Sequence, residues 1–157
     1  MIYKMTFFLI FFCFIFIFVL YLIPKNITKS EQYTIALFSI LLGLMVDVVF
    51  DIKYHLYGYI YPGVQYLGFL PILIFFPVAG IVFINFYPNR KPLMSKLLYI
   101  IGWTIFSLVF EYISLVAGYF YYNGWKYLYS AFSYPFLLWL QLLHFKFLKS
   151  LNKNRNS

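Results

Sequence analysis

Apolar residues fill this chain in five long runs, at 5–23, 33–51, 67–87, 97–118 and 131–148, separated by short polar breaks. Each run approaches the roughly 20 residues a helix needs to cross a bilayer, and none shows the strict alternation of a half-buried strand. The first, Met5 to Ile23, is apolar on every side and ends in Ile23-Pro24-Lys25-Asn26. It lacks a small-residue cleavage pattern, so a retained first helix is expected rather than a signal peptide. The pattern as a whole predicts an all-α integral membrane bundle of about five transmembrane helices, spanning 1–148, followed by a basic tail at 149–157.

The breaks carry their own information. Thr28 and Glu31 have the spacing of a capping box that opens the second helix, which accounts for Glu31 without assigning it to a site. Pro71, Pro77 and Gly80 interrupt the third run and predict a kinked, packed helix, because each proline frees a backbone carbonyl that lipid cannot satisfy. Leu56-Tyr-Gly-Tyr-Ile-Tyr-Pro-Gly63 and Tyr119 to Tyr129 read as two aromatic connections at one end of the bundle. Their rings suit an interfacial belt or a rim over a site.

Composition rules out an ordinary soluble domain: 64% of residues are hydrophobic and only 10% charged, where charged residues normally make up about a quarter. The net charge of +8 does not point to nucleic acid, because the basic residues stand singly or in small groups at the ends of apolar runs. There they anchor helices against anionic headgroups. Cys13 is the single cysteine, which excludes an intramolecular disulfide and a cysteine metal cluster. With five spans, Lys25, Lys29, Arg90, Lys91, Lys96, Lys146, Lys149, Lys153 and Arg155 fall on one face. Lys4, Lys53 and Lys126 fall on the other. The positive-inside rule then puts the N-terminus outside and the C-terminus in the cytoplasm, so the aromatic connections face outward.

Against this background the few ionisable groups stand out. A carboxylate in a spanning helix costs at least ~2.5 kcal/mol on insertion scales, so it is expected to face the bundle interior. Asp47 and Asp51 lie near the outer end of the second run, one helical turn apart, with His55 one further turn on if the helix continues. In the fourth run Thr104, Ser107, Glu111, Ser114 and Gly118 recur at steps of three and four, which places them on one helix face. A thinner stripe, Tyr134, Leu137, Gln141 and His144, marks the fifth. Packing these faces together predicts an outward-opening polar pocket of Asp47, Asp51, His55, Glu111, Ser114, Trp125 and Tyr134. Within it, carboxylates crowded in a low dielectric cannot all ionise cheaply, and at least one is expected to hold a proton. That makes Glu111, Asp47 and Asp51 the candidate acid catalysts. Asp47, Asp51 and His55 would also suit a metal, but the helix is expected to end near His55 and no further His or Cys joins them, so no metal is assigned. No hydrolase triad signature, phosphate loop or nucleotide fingerprint is present, and no cofactor is implied.

The order of landmarks carries a resemblance. The capped acidic residue before the second helix, the Asp pair at its outer end, residues 56–63, the proline-bearing third helix, Gly102-Trp103, Glu111-Tyr112, Gly118-Tyr119 and Gly124-Trp125 together resemble an uncharacterised small multi-pass membrane protein family of spore-forming Gram-positive bacteria. The resemblance covers most of the chain after the first helix. It implies a multi-pass topology in a bacterial plasma membrane, and no activity. By architecture alone the chain is also similar to small integral-membrane cyclases of isoprenoid pathways, but it lacks the Pro-x-Glu-Glu pattern of the carotenoid branch. The expectation is therefore a plasma-membrane protein, non-enzymatic on balance, whose pocket packs the bundle or binds a lipid, an isoprenoid, a partner membrane protein or a second copy. A membrane enzyme acting on a lipid, and a proton or small-cation pathway, are the alternatives.

Overall fold

A computed structural model describes residues 2–61 and 66–155. Pro62 and Gly63, expected to break the tyrosine-rich connection, lie outside the described residues. Five α-helices are present among the described residues: α1 (Ile2–Leu22), α2 (Lys29–Asp47), α3 (Phe76–Asn85), α4 (Leu93–Val116) and α5 (Tyr127–Arg155). Four helical segments, Tyr3–Leu22, Lys29–Lys53, Tyr66–Asn85 and Leu93–Val116, are long and apolar enough to cross a membrane. The all-helical architecture is as expected. The fifth helix has the length but carries Ser130 and Ser133 near its start and Gln141 and His144 in its middle, which lowers its apolarity.

Helix α2 begins as the sequence predicts. Thr28 Oγ1 accepts the Glu31 backbone N–H at 3.2 Å, and the Glu31 carboxylate accepts the Thr28 N–H at 2.8 Å. The buried residues of α2 are Glu31, Ile35, Ser39, Gly43 and Asp47, one every four residues, so a single narrow ridge faces the bundle. This ridge packs on α3, where Gly43 lies against the Phe76 ring and Gly80 against the Ser39 hydroxyl. Small residues on both sides let the two backbones approach, which is how helices associate where lipid removes the hydrophobic drive.

Two turns depart from α-helical pitch. After Asp47 the chain widens into a π-helical segment, Val48–Lys53, and a second one, Pro71–Phe75, precedes α3. The second has an evident cause. Pro77 has no N–H to donate and its ring crowds the preceding turn, so the chain relaxes to the wider i→i+5 spacing, with the Phe76 N–H bonded to the Pro71 carbonyl.

Helix α5 packs against α2, α3 and α4, and α1 lies against α3. Between α1, α3 and α4 the contact is made by phenylalanine rings: Phe110 touches Phe8, Phe12, Phe16 and Phe75 at centroid separations of 6.0, 5.1, 5.5 and 5.3 Å. The outer faces of α1 and α4 leave Phe7, Phe14, Ile105 and Val116 exposed, as a hydrocarbon surround requires.

The two ends of the bundle are fastened differently. At one end Asn85, buried at the close of α3, donates to the Pro24 carbonyl at 2.8 Å and accepts from the Asn26 N–H at 2.7 Å. At the other, the two aromatic connections form a two-stranded antiparallel sheet. Strand β1 (Tyr57–Tyr59) pairs with β2 (Phe120–Tyr122) in the register Tyr57↔Tyr122, Gly58↔Tyr121 and Tyr59↔Phe120. Helix α4 is stopped for this purpose at Gly118. Its φ of +73° suits glycine, the Gly118 N–H bonds to the Leu115 carbonyl, and the Tyr119 N–H bonds to the Ser114 carbonyl.

Candidate functional site

The strand pair lies over a cavity of about 400 Å³ enclosed by α2, α3, α4 and α5. Its walls are aromatic: Phe75 and Phe76 from the α3 region, Trp103, Phe106 and Phe110 from α4, and Phe120 from β2. Two carboxylates border it, Asp47 from α2 and Glu111 from α4, with exposures of 6% and 5%. None of its lining residues among those described is Lys, Arg or His.

Each carboxylate is held by hydroxyl groups rather than by a cation. Tyr57 donates to Asp47 Oδ1 at 2.7 Å, and the Tyr59 hydroxyl lies 3.2 Å from Oδ2. Both tyrosines come from β1, so the strand pair is what brings them over the end of α2. Glu111 accepts from Tyr134 at 2.6 Å on Oε2. Its Oε1 accepts from Ser130 at 2.7 Å, and from Tyr122 of β2 in a short contact. Ser130 in turn accepts the Trp125 indole N–H at 2.8 Å. Trp125 stands edge-on to Tyr57, 5.4 Å between ring centres, which ties the two carboxylate shells together. The phenols of β1 and β2 are poor acids here. Burial, and secondarily the Asp47 carboxylate, push Tyr57 and Tyr59 above the ordinary tyrosine range. Tyr122 is raised by burial and by its hydrogen bond to Glu111. These hydroxyls therefore act as permanent donors at physiological pH.

Among the residues singled out in the sequence, Asp47, Glu111, Trp125 and Tyr134 line this cavity. Asp51, His55 and Ser114 do not. The expectation that Asp47, Asp51 and His55 share one helix face is corrected by the π-helical segment, whose wider turn carries Asp51 off the buried ridge to a half-exposed position. His55 lies beyond that segment, exposed and at φ +51°. Ser114 is buried but donates to the Phe110 carbonyl of its own helix at 2.8 Å. The expected cluster of three carboxylates is thus a pair. Among the described residues no group of three His, Cys, Asp or Glu is placed to hold a metal.

No family model, no curated protein and no solved structure matches this chain.

Several groups of the site were not legible in the sequence. Tyr57 and Tyr59 look like any interfacial tyrosines until strand pairing turns them inward, and Ser130 carries no periodic signal at the start of α5. The ridge Ile35, Ser39, Gly43 and Asp47 emerges only from burial in the structure, and it locates Asp47 as the last member of a packing face. Gln141, noted in the α5 stripe, lines the cavity at the end away from the strands and places its amide N–H 3.4 Å from the Ile35 carbonyl.

Proposed function

We propose that this chain is a five-span plasma-membrane protein, N-terminus outside, whose intrabundle cavity binds a membrane-resident amphiphile. The observation that carries this reading is the distribution of charge in the cavity: two buried carboxylates with their hydroxyl donors at one end, and along the rest mainly phenylalanine and tryptophan faces with the uncharged Ser39 and Gln141. Such a concave, mainly aromatic space with a few convergent polar groups is the usual form of a small-molecule site. The count of five is supported by the length of α5 and its packing among the other helices, and the orientation by the excess of Lys and Arg at the Asn85 end.

The test is lipid extraction from protein purified in mild detergent. An amphiphile retained in stoichiometric amount by wild type, and lost from Asp47→Asn/Glu111→Gln at equal abundance, is the expected result. No retained molecule in either, at normal abundance and fold, overturns the reading and leaves the polar groups as bundle packing.

A second reading draws on the same geometry. A carboxyl group facing aromatic walls suits acid-initiated chemistry on an isoprenoid, because the acid supplies a proton and ring faces stabilise a developing cation. Comparison of total lipids between wild-type and gene-deleted cells decides it, and an unchanged lipid profile sinks the enzyme.

A further inference from the structure

A second apolar space, of about 430 Å³, lies between α1, α3 and α4, and it borders the first through Phe16, Ala79, Trp103 and Phe106. Phe106, which lines both spaces, is 48% exposed. On α4 this groove includes Gly102, where an added Cβ would meet no atom within 4 Å. The two spaces therefore abut at Trp103 and Phe106, on the side of the central cavity that faces α1. At its opposite end the strand pair stands over the carboxylates, so an apolar chain entering from the bilayer has this lateral way in.

The charge of the polar end is equally specific. Two carboxylates border one aromatic space to which the described residues bring no basic side chain, and their partners among the described residues are neutral hydroxyls. A cationic head would supply the missing counter-charge at low dielectric, where an anionic head would be repelled. Trp125, Tyr57 and Phe120 add ring faces at this same end, and ring faces attract ammonium groups.

We propose that the ligand is a long-chain amine, its ammonium group at the Asp47 and Glu111 end and its hydrocarbon tail leaving between α1 and α4 through the Trp103/Phe106 groove. This rests on the amphiphile reading above and narrows it to one head charge and one exit.

Tryptophan quenching by bromine-tagged chains tests it. In a Trp139→Phe background the remaining tryptophans, Trp103 and Trp125, both line the cavity. Protein in nanodiscs of a zwitterionic lipid is titrated with dibromooctadecylamine and, separately, with dibromostearic acid. The amine is expected to quench saturably, with half-saturation roughly tenfold lower than the acid. Asp47→Asn/Glu111→Gln should erase that preference. Gly102→Phe, whose Cβ would meet open space at the groove, should raise the amine's half-saturation roughly tenfold while the thermal unfolding midpoint holds. Equal quenching by amine and acid overturns the head-group assignment. An amine titration untouched by Gly102→Phe overturns the lateral exit. Absence of saturable quenching by either probe, in protein that unfolds cooperatively, refutes the amphiphile reading itself.

Discussion

Tyr57 donates a 2.7 Å hydrogen bond to Asp47, ten residues back along the chain, across the strand-capped end of the bundle. The bond joins the strand pair to α2, and both partners are buried. Tyr57→Phe keeps the ring and its contact with Trp125 but removes one of the donors to the carboxylate. The expected cost is ~1–3 kcal/mol, read as a lower unfolding midpoint in detergent. Asp47→Asn/Tyr57→Phe should cost less than the two single changes summed, since both remove one interaction. Additive losses would show that the bond contributes nothing.

The raised phenols give this end a pH dependence. A group whose proton is held more tightly in the folded than in the unfolded state stabilises fully below its unfolded pKa, and that stability is lost as pH climbs through the folded value. For Tyr57, Tyr59 and Tyr122 the loss should begin above about pH 10, the ordinary tyrosine value. Unfolding midpoints measured from pH 8 to 11.5 should fall in the upper range, and fall less steeply in Tyr57→Phe. A flat profile to pH 11.5 would contradict the burial of these hydroxyls.

Glycines on different helices should respond in opposite directions to the same chemistry. On Gly80 a methyl group runs into the Ser39 hydroxyl at the α2–α3 crossing, whereas on Gly102 it meets open space. Gly80→Ala should destabilise by roughly 1–3 kcal/mol through overpacking. Gly102→Ala should leave stability unchanged or raise it by up to ~1 kcal/mol through helix propensity. Thermal unfolding of the two variants in one detergent compares them directly.

Asn85 is the corresponding fastener at the other end. Asn85→Leu fits a similar volume but strands the Asn26 N–H and the Pro24 carbonyl. A cost of ~2–4 kcal/mol is expected, together with faster proteolysis in the 24–28 connection. Unchanged cleavage there would mean the connection is held by something other than this amide.

Topology has its own check. With Cys13 replaced by serine, a cysteine at Lys53 should react with an impermeant maleimide added to intact cells, and one at Lys91 should react only after permeabilisation. Labelling of position 91 from outside would reverse the proposed orientation.

What could be read from the sequence was whatever depends on neighbours within a turn or two. The Thr28/Glu31 capping box and the face carrying Thr104, Ser107 and Glu111 follow from spacing alone, and the structure buries Thr104 and Glu111 together. The strands could not be foreseen: three residues such as Tyr57-Gly58-Tyr59 give no usable alternation, and their pairing partner lies more than sixty residues away. Nor could the π-helical segment after Asp47, because no residue in Val48–Lys53 forces it as Pro77 does the other. That one widened turn separates the Asp47 that borders the cavity from the Asp51 that does not.

The unlike fastenings of the two ends bear on how freely each can vary. A ladder of main-chain bonds between β1 and β2 is indifferent to most side chains, so a half-buried position such as Tyr121 should accept wider substitution in a saturation library than Asn85. The Asn85 joint rests on two carboxamides, with Asn26 Nδ2 donating back to the Asn85 carbonyl, and admits almost no synonym. A bundle built this way can diversify its ceiling from lineage to lineage while its floor stays spelled in two letters.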